Sequence, residues 1–169
     1  MQPVIVQHPR AVIIIHLIMG VIFGFSAYAL VRQLPNGGLG AVFHPDLMEQ
    51  ALNSGQAHLL TLTLAAFGVG LGGNHLLTGL GRTLNVPALG KVIVALVSII
   101  VIVGLVVGVV TNALTGVSVP VVMNTGIGLW VGSGLGWWSA SAQPRQTLTV
   151  WAVGAIAALV TLIGLLVLV

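Results

Sequence analysis

The sequence predicts an all-α fold, an integral membrane bundle of five transmembrane helices, and three observations carry that prediction. Of 169 residues, 57% are hydrophobic and only 4% are Asp, Glu, Lys or Arg, against about a quarter charged in an ordinary soluble domain. The few charges leave uncharged intervals at 11–31, 50–81, 92–144 and 146–169, each long enough to hold the roughly 20 apolar residues that cross a bilayer. These runs are continuous rather than alternating, which fits helices and not the short two-sided strands of a membrane barrel.

The first span covers about 11–31 and ends at Arg32 as at a helix flank. Its leader is only weakly basic and no small-x-small cleavage site closes it, so it reads as a retained span rather than a signal peptide. An outer loop at 33–56 follows and holds both acids of the chain, Asp46 and Glu49. It opens on the turn formers Pro35-Asn36-Gly37-Gly38 and continues His44-Pro45-Asp46-Leu47-Met48-Glu49-Gln50-Ala51-Leu52. Proline at a first helical position, acids in the first turn and an apolar face of Leu47, Met48, Ala51 and Leu52 predict a short helix on the membrane surface. Span two covers 57–80, span three 92–110, a Gly-rich span four 120–140 and span five 147–169. Four spans is the count if the fourth is re-entrant. Residues 1–169 read as a single transmembrane domain.

Lys and Arg in short loops resist translocation and so set orientation. With the N-terminus inside, Arg10, Arg82, Lys91 and Arg145 are cytoplasmic and only Arg32 is outside, beside Asp46 and Glu49. This favours N-in, C-out, and Trp137, Trp138 and Trp151 then fall at one interface, with Trp130 near mid-span. The location expected is a bacterial inner (cytoplasmic) membrane. Small residues recur at helical spacing: Gly20 and Gly24; Ala65, Gly68 and Gly72; Gly104 and Gly108; Gly128, Gly132 and Gly136. In lipid such stripes mark close helix contact, and so many of them predict partners, either copies of the chain or other membrane subunits.

Composition also narrows the chemistry. Without cysteine there is no disulfide, iron–sulfur or thiolate metal site. Five basic residues against two acids are too sparse to track phosphates, so nucleic acid is not an expected partner. No Ser has a nearby His at fixed spacing and no span holds a carboxylate, which argues against hydrolysis and against a proton-coupled carrier. A carbonyl-lined channel stays open.

What remains is imidazole. His16 near the start of span one and His75 near the end of span two lie at one level in an antiparallel pair, toward the cytoplasm. His58, at the start of span two, lies about 25 Å of helix from His75, on the outer side with His44. Two sites follow. On the inner side, His16 stands one and two turns from Gly20 and Gly24, where a planar ring has room against bare backbone. On the outer side, His58 heads a face running Thr61, Ala65, Gly68 and Gly72. Imidazole ligates haem iron or a chlorophyll magnesium, whereas the plain alternative is an interfacial side chain bonded to a carbonyl or water. His44, Asp46, Glu49 and His58 also make a set of metal-ligating types, though acids in a first helical turn are explained by the helix dipole.

Phe23-Gly24 in the first span, a loop of about two dozen residues and Ala57-His58 opening the second together resemble the small membrane-embedded styrene oxide isomerases. The resemblance covers roughly residues 11–110. It implies a helical bundle holding haem b with His58 as axial ligand, the iron acting as a Lewis acid that opens an epoxide toward a carbonyl compound. The chain departs from the family at Leu64, where the family has a substrate-contacting Asn, and at Val103 or Gly104, where it has a Tyr. The expectation is therefore a haem-b-type membrane protein with a His axial ligand and cofactor-binding candidates His58, His16, His75, Gly20 and Gly24, an isomerase of a small apolar epoxide. The alternatives are a non-catalytic subunit of a respiratory or photosynthetic complex, or a small channel or carrier.

Overall fold

A computed structural model describes residues 9–33, 56–115, 120–143 and 147–168. These form five helices: α1 (Pro9–Gln33), α2 (Gln56–Thr83), α3 (Leu89–Thr115), α4 (Pro120–Ser141) and α5 (Leu148–Leu168). No strand occurs among the described residues. Each helix lies on one of the five predicted runs, with ends that differ from it by at most five residues. Proline is the first residue of both α1 and α4, where its missing N–H has no helical partner to lose. Four helices hold segments long and apolar enough to cross a membrane: Arg10–Val31, Leu60–Thr83, Leu89–Val106 and Leu148–Leu168. The predicted surface helix, with His44, Asp46 and Glu49, lies outside the described residues.

Helix α2 is the centre of the bundle. It packs on α4 along most of its length and on α1 across its other face; α1 in turn carries α5, and α3 lies at the edge against α4 and α2. The small-residue stripes decide these contacts. A methyl group added at Gly128, Gly132 or Gly136 of α4 would run into the α2 backbone at Thr63, Phe67 and Leu71. One at Gly20 or Gly24 of α1 would meet the carbonyls of Gly154 and Ala158 on α5, and Gly68 and Gly72 of α2 lie against Ser26, Met19 and Phe23 of α1. Bare backbone on both sides of a contact is what lets two helix axes approach this closely. The stripes of α1, α2 and α4 are thus filled by neighbouring helices of the same chain.

Helix ends are closed by identifiable bonds. After α2 the Val86 N–H donates to the Gly81 carbonyl at 2.6 Å, with Asn85 at φ 60°. This is a helix stop in which asparagine takes the left-handed position usually given to glycine. At the end of α4 the Arg82 guanidinium donates to the carbonyls of Ala140 (2.6 Å), Ser141 (3.2 Å) and Gln143 (2.6 Å), which a helix C-terminus otherwise leaves without partners. Arg82 therefore caps a neighbouring helix rather than merely flanking its own.

Candidate functional site: a buried histidine pair

The antiparallel packing of α1 and α2 brings His16 and His75 together. Both are fully buried, at 0% exposure. Their ring centroids are 4.8 Å apart and the planes meet at 62°, an edge-to-face contact. Helices α4 and α5 close around the pair. Gly136 of α4 lies against the backbone of His75, and Gly154 of α5 against the His16 carbonyl and the Leu76 side chain. The Trp151 indole of α5 donates to the Leu76 carbonyl at 3.0 Å.

The hydrogen bonds fix which ring nitrogen carries the proton. His16 Nδ1 stands 3.0 Å from the Val12 carbonyl; a carbonyl only accepts, so Nδ1 is the protonated nitrogen. His75 Nδ1 stands 2.7 Å from Ser139 Oγ. That hydroxyl gives its single hydrogen to the Gly136 carbonyl at 2.9 Å, so it accepts from His75, which is again protonated on Nδ1. Each imidazole thereby keeps its lone pair on Nε2. His75 Nε2 is buried with no hydrogen-bond partner among the described residues. An acceptor left in that state costs about 1–3 kcal/mol, so its burial asks for a reason.

A polar cluster on the same stretch of α2 supports the pair. Asn74 Nδ2 donates to the Ser133 carbonyl of α4 (2.8 Å) and the Gly90 carbonyl of α3 (3.3 Å), while its Oδ1 accepts from Thr78 Oγ1 at 3.3 Å. Asn74, Thr78 and Ser133 are all buried. One amide thus ties three helices one residue away from His75. Asn74 is thus an internal clamp. The signal for it is the Asn74–Thr78 spacing of four on the face that also carries His75.

The remaining candidates fall elsewhere. Gly20 and Gly24 are covered by α5, so the room expected for a planar ring beside His16 is taken by helix packing. With that groove filled and the two imidazoles against each other, a porphyrin does not fit on His16 or His75. His58 lies in the first turn of α2, at the opposite end from the pair, and its side chain lies outside the described part. Of the face that His58 heads, Ala65, Gly68 and Gly72 are buried, the two glycines against α1. Leu64 and Val103, which stand where the isomerases have substrate-contacting side chains, are 59% and 54% exposed. No group of three or more His, Cys, Asp or Glu gathers among the described residues. No protein-family model, no curated protein and no solved structure matches the chain.

Proposed function

We propose that the chain is an integral membrane protein that works by imidazole coordination: a five-helix bundle in the bilayer, N-terminus inside, that holds a metal centre on histidine. The observation that carries this reading is the contact of His16 with His75. Two imidazoles from different helices are brought into edge-to-face contact, each held by a hydrogen bond at Nδ1. That is the outer-shell pattern seen around metal-ligating histidines, where the second ring nitrogen donates to a carbonyl or another acceptor and so fixes tautomer and ring orientation. Membrane embedding is supported by the four long apolar helices and by their outward faces. Ile99, Ile100, Ile102 and Val103 of α3 are all more than half exposed, a contiguous greasy surface that water would not tolerate on a monomer.

The resemblance to the styrene oxide isomerases supports a second form of the same chemistry, haem b on His58. The placement of Ala57-His58 at the start of α2 favours it. Haem iron there would supply a Lewis acid for opening a small apolar epoxide that arrives through the bilayer. The outward-facing Leu64 and Val103 remove the family's means of holding that substrate, so the histidine pair is the stronger basis.

Metal analysis and a visible spectrum of the protein purified in mild detergent test both forms. The pair predicts a bound or readily taken-up transition metal ion that is lost in His75→Gln. Haem on His58 predicts a Soret band that disappears in His58→Ala. A folded, colourless protein that takes up neither metal nor haem overturns the reading.

A further inference from the structure

Resting on the reading of the chain as a bilayer-embedded bundle, we infer that the seam between α3 and α4 holds one anionic phospholipid. Its phosphate headgroup sits at Lys91 and Trp137, and an acyl chain runs along the seam below. Two rungs cross this seam. Lys91 Nζ of α3 stands 5.8 Å from the centroid of the Trp137 ring of α4, within the range at which an ammonium is attracted to an indole face. Seven residues on along α3 and seven back along α4, the Trp130 indole donates to Ser98 Oγ at 2.8 Å. Two helical turns, about 10 Å, separate the rungs.

Charge selects the headgroup. The only two acids of the chain, Asp46 and Glu49, fall between α1 and α2, whereas Lys91 follows the far end of α2. It therefore has no carboxylate partner among the described residues. Arg82, the other cation beside the end of α4, is engaged with the carbonyls of Ala140, Ser141 and Gln143. Lys91 is exposed, and the indole face orients its ammonium without neutralising it. A phosphate diester supplies the missing negative charge: each basic residue near a membrane surface favours an anionic lipid by about fivefold. Indoles settle at headgroup depth, and the exposed Trp138 adds a second one there.

Shape and polarity select the chain below it. Trp130, Gly134 and Trp137 share one face of α4, since they stand four and seven residues apart. Between the two indoles, a methyl group added at Gly134 meets nothing within 4 Å, unlike one at Gly132 or Gly136 on the face packed against α2. The seam thus has an open notch between its rungs. Its lower rung is dry: Ser98 Oγ gives its hydrogen to the Val94 carbonyl at 2.7 Å and accepts from Trp130. Trp130 is 49% exposed with its one polar atom already used, so what it presents outward is hydrocarbon. A charged upper rung, a bare notch and an apolar lower rung match a phosphate followed by an acyl chain.

The test is a titration of the full-length protein in mild detergent with dioleoylphosphatidylglycerol or dioleoylphosphatidylcholine, the bound lipids being counted by native mass spectrometry. One tight phosphatidylglycerol per chain is expected, with phosphatidylcholine binding about fivefold more weakly. Lys91→Gln is expected to abolish that preference. Gly134→Leu fills the notch and is expected to weaken both lipids while leaving the preference in place. Arg10→Gln removes an exposed charge at the same end of the bundle but on α1, and is expected to leave the tight lipid unchanged. Equal binding of the two lipids by the native protein overturns the site, as do equal losses in Lys91→Gln and Arg10→Gln or normal binding by Gly134→Leu. Circular dichroism and gel filtration establish that each variant is folded. Should a variant fail to fold, the native protein decides: the preference is expected to fall as ammonium acetate is raised, because exposed charges are screened, and a preference independent of salt overturns the site. Release of the chain from vesicles by alkaline carbonate defeats the bilayer reading itself, whereas a chain that stays in vesicles of either lipid without preference defeats the site alone.

Discussion

Every ring nitrogen buried in an apolar bundle has to be accounted for. At the pair, Nδ1 of each histidine is bonded, and the interest lies in the Nε2 atoms. Next to it, Asn74 shows what a fully used polar group looks like, since its amide reaches two carbonyls and accepts from Thr78. Interhelical bonds in membrane proteins contribute about 0.6 kcal/mol on average and up to about 1.7. Asn74→Leu is therefore expected to destabilise the bundle by about 1–2 kcal/mol, and Thr78→Val by clearly less, in thermal or denaturant unfolding followed by circular dichroism. Equal losses in the two variants would show that Asn74 is not the clamp. The meeting of His16 and His75 is legible in the sequence, because antiparallel spans of known direction put both at one level. The tautomers are not. They depend on Val12, four residues before His16, and on Ser139, 64 residues beyond His75, a separation that no local pattern spans.

Among the elements, the glycine stripes were readable as contact faces from their spacing alone, though not as to which helix fills which. Gly20 with Gly24 could as well have faced a cofactor or a second chain; the α5 carbonyls of Gly154 and Ala158 occupy them instead. The discriminating information is three-dimensional: α5 carries its own small residues, Gly154 and Ala158, four apart, which match those of α1. The same logic gives a contrast within α4. Gly132 faces the α2 backbone at Phe67 and Leu71, whereas a methyl at Gly134 meets nothing within 4 Å. Gly132→Leu should separate α2 from α4 at a cost of at least about 1–3 kcal/mol. Gly134→Ala should be neutral or slightly stabilising in the same unfolding assay. A tolerated Gly132→Leu would contradict the tight α2–α4 contact.

At the scale of the whole molecule, α2 organises everything that has been described. One face holds α1 and the other α4; its last third carries Asn74, His75 and Thr78, and its last turn sends Arg82 to close α4. Composition foretold the helices, since uncharged runs of this length have few other uses. It left imidazole as the group expected to carry chemistry. Spacing along the spans separated the end that holds His16 and His75 from the end that holds His58; packing adds that the first two rings touch.

The central claim is that the bundle holds the His16 and His75 rings against each other in its interior, each bonded through Nδ1. Nitrogen-15 NMR of histidine-labelled protein in lipid bilayers, assigned with His16→Gln and His75→Gln, measures it directly. The account predicts that both rings carry their proton on Nδ1 and that Ser139→Ala disturbs His75 alone. A proton on Nε2 of either ring in the metal-free protein would contradict it.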